Sequence, residues 1–522
     1  MRIMGVNEFA ARLPNAITGI LVLIALYCLG TRLRDRQFGM LWALAYAGSF
    51  LPLLYLQSGI IDPVFNVLMF GAICGLCAGQ QRSTQHNVAG TLVAFAAAGI
   101  AVGLAVLTKG PVALLLVGLT GSLFYLVRRK RYPIPVFALM LFSACAAVAA
   151  PWYIASALSD GGTNFSAFIA RQIELLSTGV AGHTGPWYYH IVVLALGCFP
   201  ASVFAAAGFR SAPTDSTFFD DFRLWMLLLM GVVLVVFSIV QTKIVHYSSL
   251  AYFPITFFAA NGLYQMRGKY SRSTLWALGG AGILWAALLM AVPIVGLNAR
   301  AIASRVSDPD VHAALLLPVE WSVAQVLIGV GYALSVVFAI FLAIRARRVS
   351  QREHSAFATG LAADIHMHIH TYAPAVLIFG GTLVATSVTA AVLIPRVEQY
   401  TQGAPIAFYE TLRGRDVYVA TLGFKSYAQL FYTAKTAEAA RRETCGAAFM
   451  NAAARDTSTR AFTVEDWLLR GAIDRDAFFV AKADKAMRWR GIPDLHEMNS
   501  VGGYVFFERR AVTPSTATGC DK

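Results

Sequence analysis

Apolar residues run in blocks of about membrane-crossing length from Ala16 to Pro395, separated by short polar loops. The blocks fall near 16–30, 38–57, 60–79, 88–107, 110–127, 133–156, 187–209, 222–240, 249–264, 274–296, 321–344 and 373–395. A helix needs roughly 20 apolar residues to cross a bilayer. The pattern therefore predicts an all-α polytopic membrane domain over residues 1–395, with about 12 spans. The blocks at 16–30 and 249–264 are short, and are expected to tilt or to lie partly at the interface. Beyond Pro395 the period changes. Short strands DVYVATL, AFFVAKA and GGYVFFE alternate with helical VEDWLLRG and SYAQLFYTAK, which predicts a compact α/β domain over residues 396–522.

Composition agrees with lipid as the main solvent. The chain of 522 residues is 57% hydrophobic and 13% charged, with a mean hydropathy of +0.61. A soluble domain carries roughly 25% charged residues. The net charge of +14 does not point to nucleic acid, because its distribution is wrong for that. Of the 42 Lys and Arg, 18 follow Pro395 against 15 acids, so the tail is nearly neutral, and the others sit between apolar blocks. Cys28, Cys74, Cys77, Cys145 and Cys198 lie within those blocks and read as small hydrophobes. Cys74 and Cys77 form a CxxC with no second pair, a poor zinc signal. Cys445 and Cys520 lie in the tail, where an oxidising compartment permits a disulfide.

The loops orient the chain. One alternate set of loops holds seventeen basic residues, among them Arg32, Arg34, Arg36, Arg128, Arg129, Lys130 and Arg131. The other set holds seven: Arg2, Arg12, Lys109, Arg171, Lys243, Arg300 and Arg305. The positive-inside rule makes the richer set cytoplasmic. The C-terminal domain is then expected outside, in the periplasm of a Gram-negative cell. Met1 is expected outside as well. The head MRIMGVNEFAARLPN is neither a signal peptide nor a span, and suits a short interfacial helix. A preceding span is therefore expected upstream of Met1.

On the outer side, four stretches put ionisable groups at one level of one membrane face. Asp62 stands in SGIIDPVFN, and Lys109 in GLAVLTKGPVALLL. Arg171, Glu174 and His183 lie in the loop 157–186, and Lys243, His246 and Tyr247 in QTKIVHYSSL. Such groups beside apolar spans are costly and suggest function. Each has a plain alternative. Asp62 before Pro63 suits a helix start, and Lys109 suits a snorkelling anchor. Arg171 and Glu174 suit a surface i, i+3 pair. His183 suits a loop histidine, and Lys243 a helix end. Trp187 and Tyr188 suit an aromatic belt as well as a substrate wall. The run His366, His368, His370 falls on the cytoplasmic side and reads as a solvated linker.

The ordered motifs VNEFAARLPNAITG, SGIIDPVFNVLMF, GLAVLTKGPVAL, APWYIA, GHTGPWYYHIVVLALGCFP and SIVQTKIVHYSSLAYFP resemble those of a known superfamily. It is that of the bacterial protein O-mannosyltransferases, and the branch that transfers aminoarabinose to lipid A is the most similar. The Leu-Thr-Lys-Gly run is the most specific of the set. The resemblance implies a GT-C membrane fold with a small external domain. It implies a transferase that moves a sugar from a polyprenyl-phosphate donor to an acceptor on the periplasmic side, lipid A or another envelope glycan, lipid or protein. The place implied is the bacterial inner membrane, and the partners are the lipid-linked donor, the acceptor and membrane lipids. The family's first external loop, with its Asp-Glu pair, precedes the segment that starts here at Met1. The resemblance thus implies that the catalytic acid and one metal ligand lie outside this sequence, and it puts the activity of the chain as given in question.

The residue types suit the implied chemistry. A polyprenyl phosphate leaves as an anion, so cations must stabilise developing charge. Lys109, Arg171 and Lys243 are the candidates, with Tyr247 as a hydrogen-bond donor to the phosphate. The resemblance implies a divalent metal as Lewis acid, with Asp62 as the ligand or active-site carboxylate still present. His183, Trp187, Tyr188 and His246 are candidates for the substrate wall. Two other readings stand beside the transferase. A transporter or flippase of lipid-linked sugars would place its site near the midplane of repeated helices, whereas here the ionisable groups gather at one face. An inactive paralogue fits the missing loop.

Overall fold

The computed structural model describes residues 3–128, 134–160, 166–168, 170, 174, 184–352, 361–453 and 463–511. Two compact units emerge. One comprises Arg12–Ala287 and Gly329–Ser387; the other comprises Met1–Ala11, Leu288–Ile328 and Val388–Lys522.

The larger unit is helical. Its elements are α1 (Glu8–Leu33), α2 (Arg36–Ala47), α3 (Phe50–Leu56), α4 (Asp62–Thr84), α5 (Val88–Lys109), α6 (Val112–Arg128) and α7 (Ile134–Asp160). They continue with α8 (Tyr189–Gly197), α9 (Ala201–Phe209), α10 (Thr217–Ile239), α11 (Tyr252–Met266), α12 (Arg272–Leu297), α13 (Val326–Arg352) and α14 (Leu361–Val392). Among the described residues, eight helices are long and apolar enough to cross a membrane. The other predicted blocks take different forms. Block 38–57 becomes α2 and α3, bent by 76°, and block 187–209 becomes α8 and α9, bent by 109°. Helix α6 has 17 residues. Helix α11 has 15, and is buried continuously from Tyr252 to Leu263, so it is covered by protein rather than lipid.

Small residues set the helix contacts. A Cβ on Gly99 of α5 would lie 2.4 Å from the Leu141 carbonyl of α7, and one on Gly103 would lie 2.8 Å from Val148 Cβ. This small-xxx-small spacing lets α5 and α7 approach at backbone distance, as dispersion packing in lipid requires. Gly208 of α9 and Gly262 of α11 face each other's helix in the same way, against Phe258 O and Phe204 O.

The second unit is built on a four-stranded sheet of order β1-β2-β4-β3. Its strands are β1 (Tyr418–Leu422), β2 (Ala477–Lys482), β3 (Leu495–Val501) and β4 (Tyr504–Arg509). β1 and β2 are parallel, while β4 runs antiparallel to both β2 and β3. Both faces are covered. Tyr418, Leu422, Ala477, Phe479 and Phe507 join one core, and Val419, Phe478, Val480 and Phe506 the other. That explains why these strands read as near-continuous apolar runs. The sequence reading did not foresee β3, a polar edge strand whose residues after Leu495 are exposed. This unit also takes in residues from 288–328. Arg396 Nε donates to Glu320 O at 2.9 Å, Trp321 Nε1 to the Tyr400 hydroxyl at 3.0 Å, and the Asp484 amide to Asp310 Oδ1 at 3.3 Å. The cysteines Cys28, Cys74, Cys77, Cys145 and Cys198 are free thiols. Cys445 is disulfide-bonded, and Cys520 lies outside the described residues.

Candidate functional site

Helices α4 and α5 are antiparallel, so the start of one and the end of the other share a level. Asp62 opens α4 and Lys109 closes α5. Each charge suits the helix dipole at its terminus. Gly110 ends α5 at φ +85, where a side chain would be strained, and an added Cβ would also meet the Phe168 ring at 2.5 Å. Pro111 then leads into α6. The Lys-Gly-Pro run therefore makes a turn that leaves Lys109 at the helix end.

The Lys109 ammonium donates to Asp62 Oδ1 at 2.5 Å. The Asp62 side chain is 5% exposed and that of Lys109 26%. The N-cap position of α4 is Ile61, which has no capping side chain, and the Asp62 carboxylate faces Lys109. Two rings flank the ammonium, Phe65 at 5.5 Å and Tyr247 at 5.6 Å from centroid to nitrogen.

Tyr247 and His246 reach this point through a short 3-10 helix, Val245–Ala251, which α4 holds in place. Asn66, one turn after Asp62, donates to Ser249 Oγ at 2.8 Å, and Ser249 donates back to His246 O at 2.5 Å. His246 is half-buried beside Asp62 and Lys109. Burial lowers its pKa below the ordinary imidazole value; Asp62 opposes that shift and Lys109 adds to it. A neutral imidazole, a phenol, a carboxylate and an ammonium thus meet at one end of the helical unit. Tyr55 of α3 lies within electrostatic range of Asp62 and packs its ring 5.8 Å from that of Tyr252.

The remaining predicted residues stand elsewhere. The Lys243 ammonium donates to the carbonyls of Phe237 at 3.0 Å, Ser238 at 2.6 Å and Val240 at 2.6 Å. A lysine has three protons to give, and these bonds close the carbonyl end of α10. Burial pushes the Lys243 pKa below its ordinary value. Trp187 and Tyr188 are exposed at the start of α8, their rings edge to face at 5.8 Å. Arg171 and His183 lie outside the described residues, as does most of the loop that carries them. No group of three or more His, Cys, Asp or Glu converges as metal ligands among the described residues.

Sequence reasoning missed Phe65, Asn66, Tyr55, Ser249 and His190. The first two had a signal, since they follow Asp62 by three and four residues on one helical face. His190 is fully buried, with Nδ1 3.1 Å from Ser248 Oγ.

An apolar cavity of about 650 Å³ adjoins this end. Val106 and Pro111 line it and bracket Lys109 along the chain, and α7 contributes Phe142, Cys145, Ala149 and Tyr153.

Solved structures share the overall fold. ArnT from Cupriavidus metallidurans in the apo state superposes with a TM-score of 0.66 at 15% identity, over 99% of this chain and 86% of that one. The fold is GT-C. The same protein bound to undecaprenyl phosphate also superposes with a TM-score of 0.66, at 16% identity. The family described as dolichyl-phosphate-mannose-protein mannosyltransferase matches residues 1–154 of this GT-C chain. The undecaprenyl phosphate-alpha-4-amino-4-deoxy-L-arabinose arabinosyl transferase of Enterobacter sp. (strain 638) is 24% identical over 266 residues, 51% of this chain and 47% of that protein. Its counterpart in Pseudomonas aeruginosa is 26% identical over 333 residues, 62% of this chain and 58% of that protein. The chain spans about half the length of the curated relatives it matches.

Proposed function

We propose that this integral membrane protein transfers a sugar from a polyprenyl-phosphate donor to an acceptor at the outer face of a bacterial inner membrane, with its sheet unit in the periplasm. The observation that carries the reading is the ammonium–carboxylate pair of Lys109 and Asp62 beside a large apolar cavity. A lipid-linked phosphate needs both features at once: a fixed cation for the headgroup and apolar walls for the chain. The similarity to aminoarabinose transferases, one of whose solved relatives carries undecaprenyl phosphate, supports the same donor class. Lipid A, the acceptor that the motif resemblance implies, is the acceptor class proposed.

In the transfer, the bond between the anomeric carbon and the donor phosphate oxygen breaks as a bond to the acceptor oxygen forms. The polyprenyl phosphate departs with the electron pair. Lys109 stabilises the charge growing on its oxygens, with the Tyr247 ring 5.6 Å from its ammonium. An acceptor hydroxyl gives its proton to a carboxylate, for which Asp62 stands ready once Lys109 turns to the phosphate. A phosphate acceptor is already ionised and needs no base. Neutral His246 adds polarity without a second cation. As to the metal that the resemblance implies, the described residues bring Asp62 and His246 together with no third ligand. That donor set alone does not fit a metal centre, and no step is routed through one.

The test is transfer of labelled sugar from an undecaprenyl-phosphate donor to lipid A in proteoliposomes. Activity that Lys109→Gln lowers about ten- to a hundredfold is the expected result, since a charge-assisted hydrogen bond contributes roughly 1.5–3 kcal/mol. Transfer unaffected by Lys109→Gln overturns the assignment.

A further inference from the structure

A second apolar cavity, of about 420 Å³, lies in the half of the helical unit opposite Lys109. Gly118, Gly121 and Ser122 of α6 line it, with Phe95 of α5, Ala138 and Leu141 of α7, and Trp225 of α10. Phe142 of α7 lines both this cavity and the one beside Lys109. The two are therefore consecutive compartments along α7, and both draw on α5, α6 and α7, with α4 and α10 added in the second.

Helical rise gives their depth. Tyr153 to Phe142 is eleven residues, or about 16 Å, and Asp62 to Gln80 is eighteen residues, or about 27 Å. The hydrocarbon core is roughly 30 Å thick. Phe142 thus stands near the midplane, and the second compartment lies in the cytoplasmic leaflet. Its far end is closed by a chain of bonded polar groups. Trp225 Nε1 donates to Gln80 Oε1 at 2.9 Å, Gln80 Nε2 donates to Asp221 Oδ2 at 2.9 Å, and Arg128 pairs with Asp221 at 2.5 Å. Leu76 and Phe124 add apolar wall before that end. The space reaches the backbone of α6: an added Cβ on Gly118 would meet nothing within 4 Å.

We infer that the second compartment receives the distal isoprenes of the carrier lipid, and so makes the protein selective for long polyprenyl chains. The inference rests on the reading of Lys109 as the donor-phosphate site and deepens it. Depth decides the occupant. A phospholipid with its headgroup at the level of Lys109 has acyl chains that end near the midplane, at Phe142. A chain that starts at the same level and continues past Phe142 must exceed one leaflet, which a long polyprenyl does. Phe142, 55% exposed, forms the neck between the compartments.

The test compares two donors that carry the same sugar, one on undecaprenyl phosphate and one on geranyl phosphate, with the full chain in nanodiscs. Gly118→Leu and Gly121→Leu place a side chain in the second compartment only. Transfer from the short donor serves as the control for folding and should be unchanged. KM for the undecaprenyl donor should rise roughly ten- to a hundredfold, the range over which an apolar pocket discriminates by chain content. Undecaprenyl phosphate with a photoreactive terminal isoprene gives a readout independent of turnover. Its crosslinks should fall on α6 and α7 near Gly118 and Leu141, and should disappear in Gly118→Leu. An unchanged ratio of the two KM values, or terminal crosslinks spread over the outer lipid-facing surface, overturns the inference. A phospholipid acyl chain trapped there instead, co-purifying with the parent and lost in Gly118→Leu with no effect on chain-length preference, overturns it as well. Failure of the parent to bind undecaprenyl phosphate overturns the donor reading itself, a different outcome.

Discussion

The Lys109–Asp62 pair makes a quantitative test possible, because its two members differ in exposure. At 2.5 Å the bare attraction is about 7 kcal/mol at an effective dielectric near 20, and the cost of desolvation offsets much of it. Removal of one member of a buried pair costs roughly 3–5 kcal/mol, chiefly because a charge is left stranded. Lys109→Gln strands a carboxylate that is only 5% exposed and should incur that full cost. Asp62→Asn strands an ammonium that is 26% exposed and flanked by Phe65 and Tyr247. Residual hydration and the ring faces should hold that cost to about 1–3 kcal/mol. The double variant Asp62→Asn with Lys109→Gln buries no charge, and its two amides can bond to each other. The predicted order of thermal stability in detergent is parent and double variant highest, Asp62→Asn next, Lys109→Gln lowest. Transfer should not follow that order. A site that needs the charges stays impaired about ten- to a hundredfold in all three variants, even where stability is restored. Recovery of both stability and transfer in the double variant would refute the reasoning, for it would make the pair a structural clasp.

Three further outcomes are expected. A reporter active only in the periplasm, fused after Lys522, should be active, because the positive-inside rule predicts residues 396–522 outside; a cytoplasm-only signal overturns the orientation. Lys243→Met should lower thermal stability by uncapping three carbonyls of α10, at about 1–3 kcal/mol, while KM for donors of all lengths stays within about twofold; a selective rise in donor KM would return Lys243 to the phosphate. His246 has its pKa lowered by burial, so the unfolded chain takes up its proton first on acidification. Stability should therefore fall as pH drops below about 6.5, and His246→Gln should flatten that slope between pH 7.5 and 5.5 in thermal unfolding; an equal slope in the variant excludes this histidine as its source.

Much of the helical unit was legible because lipid demands long apolar runs. The bends were not. Blocks 38–57 and 187–209 are apolar throughout, and only local punctuation, Gly48-Ser49 in one and Pro200 in the other, marks where the axes turn by 76° and 109°. Helix α11 looked like a short span because the sequence carries no sign of whether lipid or protein covers an apolar face. In the sheet unit, β1, β2 and β4 were visible as apolar runs, and β3 was hidden because LHEMNSV is an edge strand with polar side chains on both faces. The contribution of residues 288–328 to that unit was equally hidden, since it depends on contacts such as Arg396 to Glu320 that join distant positions. At the site, Asp62 and Lys109 stood out as charges in apolar surroundings. Phe65 and Asn66 did not, because an aromatic and an amide inside a span look like ordinary packing until the 3-10 helix after α10 is seen against them.

Lys109 and Lys243 show where such a reading must stop. Both interrupt apolar sequence, and both stand at or just beyond the end of a helix long enough to span. Their local signatures are nearly the same, yet their surroundings divide them. The Lys243 side chain folds back on Phe237, Ser238 and Val240, and three carbonyls take its three protons. Nothing remains for an anion unless the end of α10 is first undone. Lys109 meets one carboxylate oxygen and two ring faces, keeps a quarter of its side chain exposed, and lies between residues that line an open cavity. An arriving phosphate can replace or share the carboxylate with no backbone bond lost. The proposed phosphate role therefore goes to the lysine whose protons are incompletely satisfied by the fold, which is a property of geometry and not of the residue's place in the sequence.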